Sequence, residues 1–226
     1  MFSLVIPLYN ESKNIQFLLD EITSNLINYK NYEIILVNDA STDNTSKIIN
    51  NLSINNIKVI NNNKNKGQSF SIYEGIKKSS NKIIVTLDGD GQNDPADIPK
   101  LYDLYSSNED IKLIGGIRRN RKDNYTKRIS SKIANFIRSR ILNDECEDTG
   151  CALKVFDKKI FLSFPFFDGV HRFLPALFKG YGHKTIFVDV NHRKRNYGIS
   201  KYGTMNRLFV GIRDIAKVNK ILKNKL

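Results

Sequence analysis

Residues 83–97 read IIVTLDGDGQNDPAD and join a continuous apolar run directly to a cluster of acids. Residues 83–87 are apolar or β-branched without interruption, which is typical of a strand buried on both faces. Asp88 and Asp90 follow at its end, with only Gly89 between them. Carboxylates held this close raise one another's pKa unless a positive charge lies among them. The stretch therefore predicts a buried strand that ends on a cation-binding loop.

The first hundred residues repeat this alternation of strands and helices. Strands built on apolar runs are predicted at 2–9, 32–39, 57–62 and 81–90, and helical patterns separate them. Continuous apolar strands joined by helices indicate a parallel sheet that is covered on both faces. The sequence contains no internal repeat and no long linker. We therefore expect a single α/β domain with a Rossmann-like, three-layer α/β/α arrangement around a mostly parallel central sheet.

Polar clusters follow three of these strands. They lie at residues 9–11, at Asp39, and at the acidic loop after the fourth strand. Because ligands of parallel sheets bind beyond the carboxyl ends of the strands, the three clusters predict one site at that edge. Asp88, Asp90 and the amide of Gln92 offer the hard oxygen atoms that Mg²⁺ or Mn²⁺ prefers. Such ions commonly share their coordination with substrate phosphates.

The second half of the chain predicts strands at 111–118, 148–157 and 184–195, and helices at 125–142, 171–182 and 205–225. We divide the chain into a domain at 3–204 and a basic amphipathic helix at 205–226. Two interpretations of this helix are open. It packs on the domain with a solvated basic face, or it lies in the headgroup region of an anionic membrane.

The net charge of +13 predicts an anionic partner: nucleic acid, an anionic membrane or a phosphorylated substrate. Residues 118–140 hold nine Lys or Arg and one acid, and residues 205–226 hold six and one. No recognised nucleic-acid-binding motif accompanies this charge, and the acids at 88–97 would repel phosphate unless a metal were present. We therefore expect no nucleic-acid partner.

The sequence predicts neither a membrane-spanning helix nor a signal peptide. No apolar run approaches the roughly 18 residues needed to cross a bilayer. The N-terminus MFSLVIPLYNE has no basic segment, and its short apolar run is interpreted as a first strand. We expect a cytoplasmic protein.

Several motifs in a fixed order resemble those of glycosyltransferase family 2. They are VIPLYNE (5–11), EIILVNDASTDNT (33–45), NKG (65–67), LDGDGQNDPADIP (87–99) and GGIR (115–118). DTGCALK (148–154), HRFLPAL (171–177) and RNYGISKYG (195–203) resemble the dolichol-phosphate mannose synthase branch, which includes bacterial polyprenyl-phosphate glycosyltransferases. The resemblance implies the GT-A fold and a nucleotide-sugar donor.

Carried over by position, the resemblance implies a role for each matching residue. The nucleotide-sugar would contact Pro7, Tyr9, Glu11, Val37, Asp39, Asp88, Gly89, Asp90, Arg118, Arg195 and Lys201. The metal, Mg²⁺ or Mn²⁺, would be held by Asp90 and Gln92 with Asp88 beside them. Arg128 and Ser131 resemble the positions that hold the acceptor phosphate, and with Asp90 and Arg118 they form the predicted catalytic set. The chain departs from the family in having Asn38 before Asp39, where Asp-Asp is common, and in lacking the C-terminal transmembrane helices of many bacterial members.

The resemblance and the charge together predict an inverting transferase. It would move a hexose, mannose or glucose, from a GDP- or UDP-sugar to dolichyl or undecaprenyl phosphate at the cytoplasmic face of the membrane. A phosphate acceptor is already anionic at neutral pH and needs no general base, whereas a hydroxyl acceptor does. No dedicated base is evident in the sequence, which favours the lipid phosphate. A family 2 transferase acting on a glycan or another hydroxyl is the alternative.

Overall fold

The computed structural model of the protein describes residues 1–52, 54–119, 135, 137–195 and 204–225, with side chains in the last segment described from residue 211. Its strands are β1 (Phe2–Leu8), β2 (Tyr32–Asn38), β3 (Ile57–Asn61), β4 (Ile83–Thr86), β5 (Ile111–Arg118), β6 (Lys154–Asp157) and β7 (Lys184–Val190). Its helices are α1 (Ile15–Asn25), α2 (Thr45–Asn50), α3 (Gln68–Lys77), α4 (Asp97–Ser106), α5 (Lys158–Ser163), α6 (Leu174–Gly180) and α7 (Thr204–Lys223). A 3₁₀ turn covers Val170–Arg172, and residues 137–142 are also helical.

The described strands form one sheet in the order β3-β2-β1-β4-β6-β5-β7. Pairing is parallel between β1 and β2, β1 and β4, β2 and β3, and β5 and β7. The exception is β6, which runs antiparallel to both β4 and β5. The prediction of a mostly parallel sheet in one α/β domain is confirmed.

Alternate side chains of the central strands supply two separate apolar layers. Leu4 and Ile6 of β1 pack in a cluster with α1 and α4, whereas Val5 packs in a second cluster with α3 and α6. A strand with both faces buried has no polar face, because its side chains alternate between the two layers. This explains the continuous apolar runs and places helices on both sides of the sheet.

Two predicted strands are shorter than expected, and one helix was missed. The strand predicted at 148–157 begins at Lys154, and the strand predicted at 184–195 ends at Val190. In both cases the remaining residues form the loops that build the site described below. Helix α5 begins where the Asp157 side chain accepts a hydrogen bond from the Ile160 N–H at 3.0 Å. Asp157 is thus the N-cap of this helix.

The described part of α7 packs on the domain. Val218 is fully buried, and Ile215 and Leu222 pack against the same apolar layer as α6. A Cβ on Gly180 would lie 2.5 Å from a methyl group of Leu222, so the two helices are in close contact. This stretch therefore agrees with the first interpretation of the helix, because its apolar face already has a partner. Within the described chain, every helix is too short or too polar to cross a bilayer.

Candidate functional site

The carboxyl ends of β1, β2 and β4 meet at one edge of the sheet. β1 and β2 pair through to Leu8 and Asn38, and the Asp39 N–H donates to the Leu8 carbonyl at 2.8 Å. On the other side of β1, the Leu87 N–H donates to the Val5 carbonyl at 3.2 Å. The loops that follow these strands therefore lie beside one another, which brings the three predicted polar clusters together.

Gly89 allows the acidic loop to approach the end of β1. A Cβ at this position would lie 2.4 Å from Cδ2 of Leu8 and 3.2 Å from the carbonyl oxygen of Pro7. It would also lie 3.7 Å from Cγ of Glu11. Only glycine allows this separation, so Asp88 and Asp90 are held directly against the loop that carries Tyr9 and Glu11.

Asp88 is half-buried and interacts with several charged groups. Its Oδ1 accepts a hydrogen bond from Nε2 of Gln68 at 2.7 Å. Burial raises the pKa of Asp88 to about 7, with a further contribution from repulsion by Asp90. Positive charge on Arg118, Lys154 and Arg195 opposes this rise. The carboxyl group is therefore poised to lose its proton when further positive charge arrives.

Asp90 is buried and paired with Arg195. Its Oδ2 accepts from Nη2 of Arg195, and its Oδ1 accepts from the Gln92 N–H at 3.0 Å. Burial lowers the pKa of Arg195, but the hydrogen bond and the charge of Asp90 more than offset it, and the net shift is upward. The structure thus brings together three of the residues predicted for the metal and the diphosphate.

The segment after β7 is anchored beside the acidic loop. Asn93 and His192 form a β-bridge, and the Arg193 N–H donates to the Gln92 carbonyl at 2.9 Å. The Arg193 side chain donates to Glu21 at 2.7 Å and to Asp94 at 2.6 Å. These contacts explain why β7 ends early and how Arg195 reaches Asp90.

Arg118 lies at the end of β5 and is paired with Asp148. Its Nε and Nη2 donate to the two carboxylate oxygens of Asp148 at 2.7 and 2.8 Å. The side chains are 13% and 6% exposed, so the pair is largely buried. The Asp148 charge keeps the pKa of Arg118 raised although burial lowers it. The Arg118 guanidinium, which is predicted to contact the nucleotide-sugar, therefore has a carboxylate partner within the protein.

Lys154 is a second buried cation near Asp88. It is 3% exposed, and its Nζ donates to the carbonyl of Cys151. Burial lowers its pKa, and the negative charge of Asp148 and Asp88 works against that decrease. Lys154 lies opposite Thr86 in the pairing of β4 with β6. Thr86 comes two residues before Asp88, so Lys154 lies next to the start of the acidic loop.

The Asp39 carboxylate organises the loop before α3. It accepts from the N–H groups of Lys66 and Gly67 at 2.9 and 2.8 Å and from the Asn62 amide at 2.8 Å. Val37 is fully buried, and a Cβ on Gly75 of α3 would lie 2.9 Å from its methyl group. Asp39 is thus placed at the predicted edge, whereas the Val37 side chain belongs to the core. Their contacts with a nucleoside stay predictions.

At the end of β1, Pro7 and Tyr9 are half-buried and Glu11 is buried. The Glu11 N–H donates to the Thr45 hydroxyl at 2.8 Å, and the Glu11 carboxylate accepts from the Asn14 amide at 2.7 Å. The remaining predicted residues, Arg128, Ser131 and Lys201, lie outside the described residues.

The donor set is compatible with a divalent ion that shares its coordination with a substrate. Asp88 and Asp90 are two carboxylates at one edge with the Gln92 amide beside them, and they supply only hard oxygen atoms. In the part of the chain that the structure describes, no three His, Cys, Asp or Glu side chains form a metal-binding group. Mg²⁺ is commonly bound through one or two carboxylates plus substrate phosphates and water, which this set allows.

Several residues of this site were missed from the sequence. Asp148 and Lys154 lie in the DTGCALK motif, and Gln68 follows the NKG motif, so motif membership was the available signal. The Ser69 hydroxyl lies 2.7 Å from Nδ1 of His171 and accepts from the Gly169 N–H at 2.7 Å. The loop that carries His171 therefore packs against the beginning of α3, next to Gln68.

Comparison with known proteins gives the same family. A model described as glycosyl transferase family 2 matches residues 3–163. The chain is 32% identical over 231 residues to dodecaprenyl-phosphate galacturonate synthase of Rhizobium johnstonii, covering 99% of this chain and 68% of that protein. It is 32% identical over 204 residues to undecaprenyl-phosphate 4-deoxy-4-formamido-L-arabinose transferase of Proteus mirabilis, covering 88% and 62%. The chain thus spans about two thirds of the length of these relatives.

Solved structures agree on the fold. Glucosyl-3-phosphoglycerate synthase of Mycobacterium tuberculosis, in complex with Mn²⁺, UDP and glucosyl-3-phosphoglycerate, superposes with a TM-score of 0.71 at 18% identity. The match covers 96% of this chain and 78% of that one. The family match, the 32% identity to the galacturonate synthase and the fold confirm the predicted resemblance. The chain therefore belongs to glycosyl transferase family 2, with the GT-A fold.

Proposed function

We propose that this chain transfers a sugar from a nucleoside diphosphate to a polyprenyl phosphate, with inversion at the anomeric carbon. The observation that carries the proposal is the arrangement of Asp88 and Asp90 at the carboxyl ends of the strands, with Arg118, Lys154 and Arg195 around them. Paired carboxylates and cations at one edge are the groups that a metal-bound diphosphate requires. The names of the relatives support the lipid-phosphate acceptor.

In this reaction the bond between the anomeric carbon and the diphosphate oxygen breaks, and its electron pair stays on the departing nucleoside diphosphate. An oxygen of the acceptor phosphate forms the new bond from the opposite face. A divalent ion held at Asp88, Asp90 and Gln92 would neutralise part of the diphosphate charge. Arg195, together with Lys201, holds the diphosphate, and Arg128 and Ser131 hold the acceptor phosphate.

In this proposal Arg118 contributes a fixed positive charge, because Asp148 holds its guanidinium in place. The bidentate contact with Asp148 fixes the guanidinium at the end of β5, and its charge acts on Asp88 and on a diphosphate bound beside it. Fixed charges of this kind stabilise a developing anion without reorganisation during the reaction. The nucleoside is bordered, through side chains or backbone, by Pro7, Tyr9, Glu11, Val37 and Asp39. Gly89 contacts it through the backbone.

The identity of the transferred sugar and of the nucleotide base is part of the proposed function. The sequence favours mannose or glucose carried by GDP or UDP, while the names of the relatives refer to galacturonate and to a formamido-arabinose. A donor panel therefore contains GDP-mannose, UDP-glucose, UDP-galacturonate and a UDP-linked aminopentose.

We place the reaction at the cytoplasmic face of the membrane, with the chain bound peripherally to an anionic surface. Two exposed apolar side chains, Ile137 and Ile141, lie one helical turn apart, and the exposed Arg140 lies between them. A helix face of this composition suits the headgroup region of a bilayer. In this proposal residues 3–204 form the transferase domain and 205–226 the C-terminal helix, of which the described part packs on that domain.

A hydroxyl acceptor is the second candidate. It requires a general base, and a carboxyl group whose pKa is raised to about 7, such as Asp88, has the proton affinity for that task. The lipid phosphate is preferred because the same carboxyl group is needed for the metal.

The test is mass spectrometry of products formed from each labelled donor with undecaprenyl phosphate in detergent micelles and with free oligosaccharides. A sugar-1-phosphate ester of the lipid is expected, and Asp90→Asn is expected to abolish it. Transfer to a hydroxyl acceptor with none to the lipid phosphate would favour the second candidate. Nucleotide binding with no transfer to any acceptor would leave a binding module without activity.

A further inference from the structure

In this structure, Arg195 holds the carboxylate that the proposed metal needs. Its Nη2 donates to Oδ2 of Asp90, and the two side chains are 25% and 10% exposed. Asp88 and Glu11 also lie close enough to act electrostatically on the guanidinium. The positive charge among the acids of this edge is thus supplied by the protein itself.

The backbone before Arg195 is anchored, whereas the Arg195 side chain is long. The Arg193 N–H donates to the Gln92 carbonyl at 2.9 Å, and the Asn191 N–H donates to Asp97 at 2.7 Å. These bonds fix where the chain passes the acidic loop. Rotation about the side-chain bonds of Arg195 can therefore move its guanidinium away from Asp90 without moving that backbone.

A guanidinium and a divalent ion compete for the same carboxylate oxygen. Two cations at one buried carboxylate repel each other, and the repulsion is strong where water is excluded. A diphosphate removes this conflict, because its oxygen atoms accept the planar guanidinium bidentately as readily as a carboxylate does. The arriving ligand therefore offers Arg195 a new partner and leaves Asp90 to the metal.

Building on the function proposed above, we propose that Arg195 exchanges partners, from Asp90 in the empty site to the diphosphate in the loaded site. The exchange couples metal binding to donor binding. Without donor, the ion must displace Arg195; with donor, Arg195 has already left. By thermodynamic reciprocity the metal strengthens donor binding by the same factor, and such couplings are typically about 5- to 150-fold.

This device has a consequence that simple metal bridging does not share. If the diphosphate alone brought the ion, removing Arg195 would leave the affinity for the ion in the absence of nucleotide unchanged. If Arg195 competes for Asp90, its removal strengthens metal binding without nucleotide and weakens nucleotide binding with metal. One substitution then changes the two affinities in opposite directions.

The experiment measures free Mn²⁺ by electron paramagnetic resonance during titration of the full chain, alone and with saturating UDP or GDP. Arg195→Met is compared with wild type and with Lys194→Met, which removes the same charge from an exposed neighbour. Arg195→Gln is a second variant, and thermal unfolding verifies that each protein is folded.

We expect Arg195→Met and Arg195→Gln to bind Mn²⁺ alone at least about fivefold more tightly than wild type, and to bind the nucleotide more weakly when Mn²⁺ is present. Lys194→Met is expected to match wild type. Unchanged or weaker Mn²⁺ binding in both Arg195 variants, while wild type still binds Mn²⁺ with nucleotide, would overturn the exchange and leave the proposed function standing. Absence of Mn²⁺ binding in every protein even with nucleotide would overturn both.

Discussion

Replacing Gly89 by alanine tests the packing that positions the acidic loop. The added Cβ would lie 2.4 Å from Cδ2 of Leu8, more than an ångström inside ordinary contact, and 3.2 Å from the carbonyl oxygen of Pro7. Leu8 is 1% exposed, so its side chain cannot turn out into solvent. Overpacking a well-filled core costs about 1–3 kcal/mol. We expect Gly89→Ala to lower the free energy of unfolding by this amount and the melting temperature by about 2–12 °C.

The same substitution is expected to weaken ligand binding. The clash is relieved most easily by moving Asp88 and Asp90 away from the end of β1, because Leu8 and Pro7 belong to a central strand. The two carboxylates then no longer face the loop that carries Glu11. Calorimetry at a temperature where the variant is fully folded should show weaker binding of a nucleoside diphosphate with Mn²⁺ than in wild type.

Two further variants separate the clash from other effects of a glycine substitution. Gly91 has a φ of +72°, and a Cβ there would meet no atom within 4 Å, so Gly91→Ala introduces backbone strain of about 1–2 kcal/mol without a clash. Leu8→Val removes the methyl group that the new Cβ would strike. We expect the double variant Gly89→Ala/Leu8→Val to be more stable than the sum of the two single changes implies. Strict additivity in urea unfolding, or a Gly89→Ala protein as stable as wild type, would refute this account of Gly89.

Two ion pairs and one histidine give further predictions. Asp148→Ala leaves the buried Arg118 guanidinium without its carboxylate, and we expect a loss of about 3–5 kcal/mol in urea unfolding, partly restored by Arg118→Met in the same chain; a loss below about 1 kcal/mol would contradict the pairing. The pKa of His171 is lowered from 6.5 to about 3, mainly by burial, so the unfolded chain takes up a proton below about pH 6.5 that the folded protein refuses. The stability of wild type should therefore fall relative to His171→Gln as the pH decreases from about 7 to 5, by at most about 1.4 kcal/mol per pH unit, and parallel curves would contradict this. The Asp214 side chain is 3% exposed, and its partner Arg172, at 2.7 Å, is 34% exposed. Arg172→Met should destabilise more than Asp214→Asn, because it takes the close partner from the deeper charge and leaves Arg213 at 3.9 Å, and the reverse order in thermal unfolding would contradict it.

The sequence predicted the sheet edge well because that edge depends on local patterns. A continuous apolar run marks a strand buried on both faces, and the polar residue after it marks the carboxyl end. Asp39 and Asp88 could therefore be assigned to one edge without knowledge of any contact between them. The parallel register of β1 with β2 and β4 then follows from burying those runs side by side.

The amino-acid pattern was sufficient to predict the fold class, the family and the strands that carry the site. The partners of the charged side chains became known only from the folded structure. Arg118 pairs with Asp148, 30 residues away, and Arg195 pairs with Asp90, 105 residues away. The antiparallel insertion of β6 between β4 and β5 decides that Lys154 is buried near Asp88. Periodicity determines which face a residue occupies, whereas an ion pair depends on which distant segments the folded chain brings within about 4 Å.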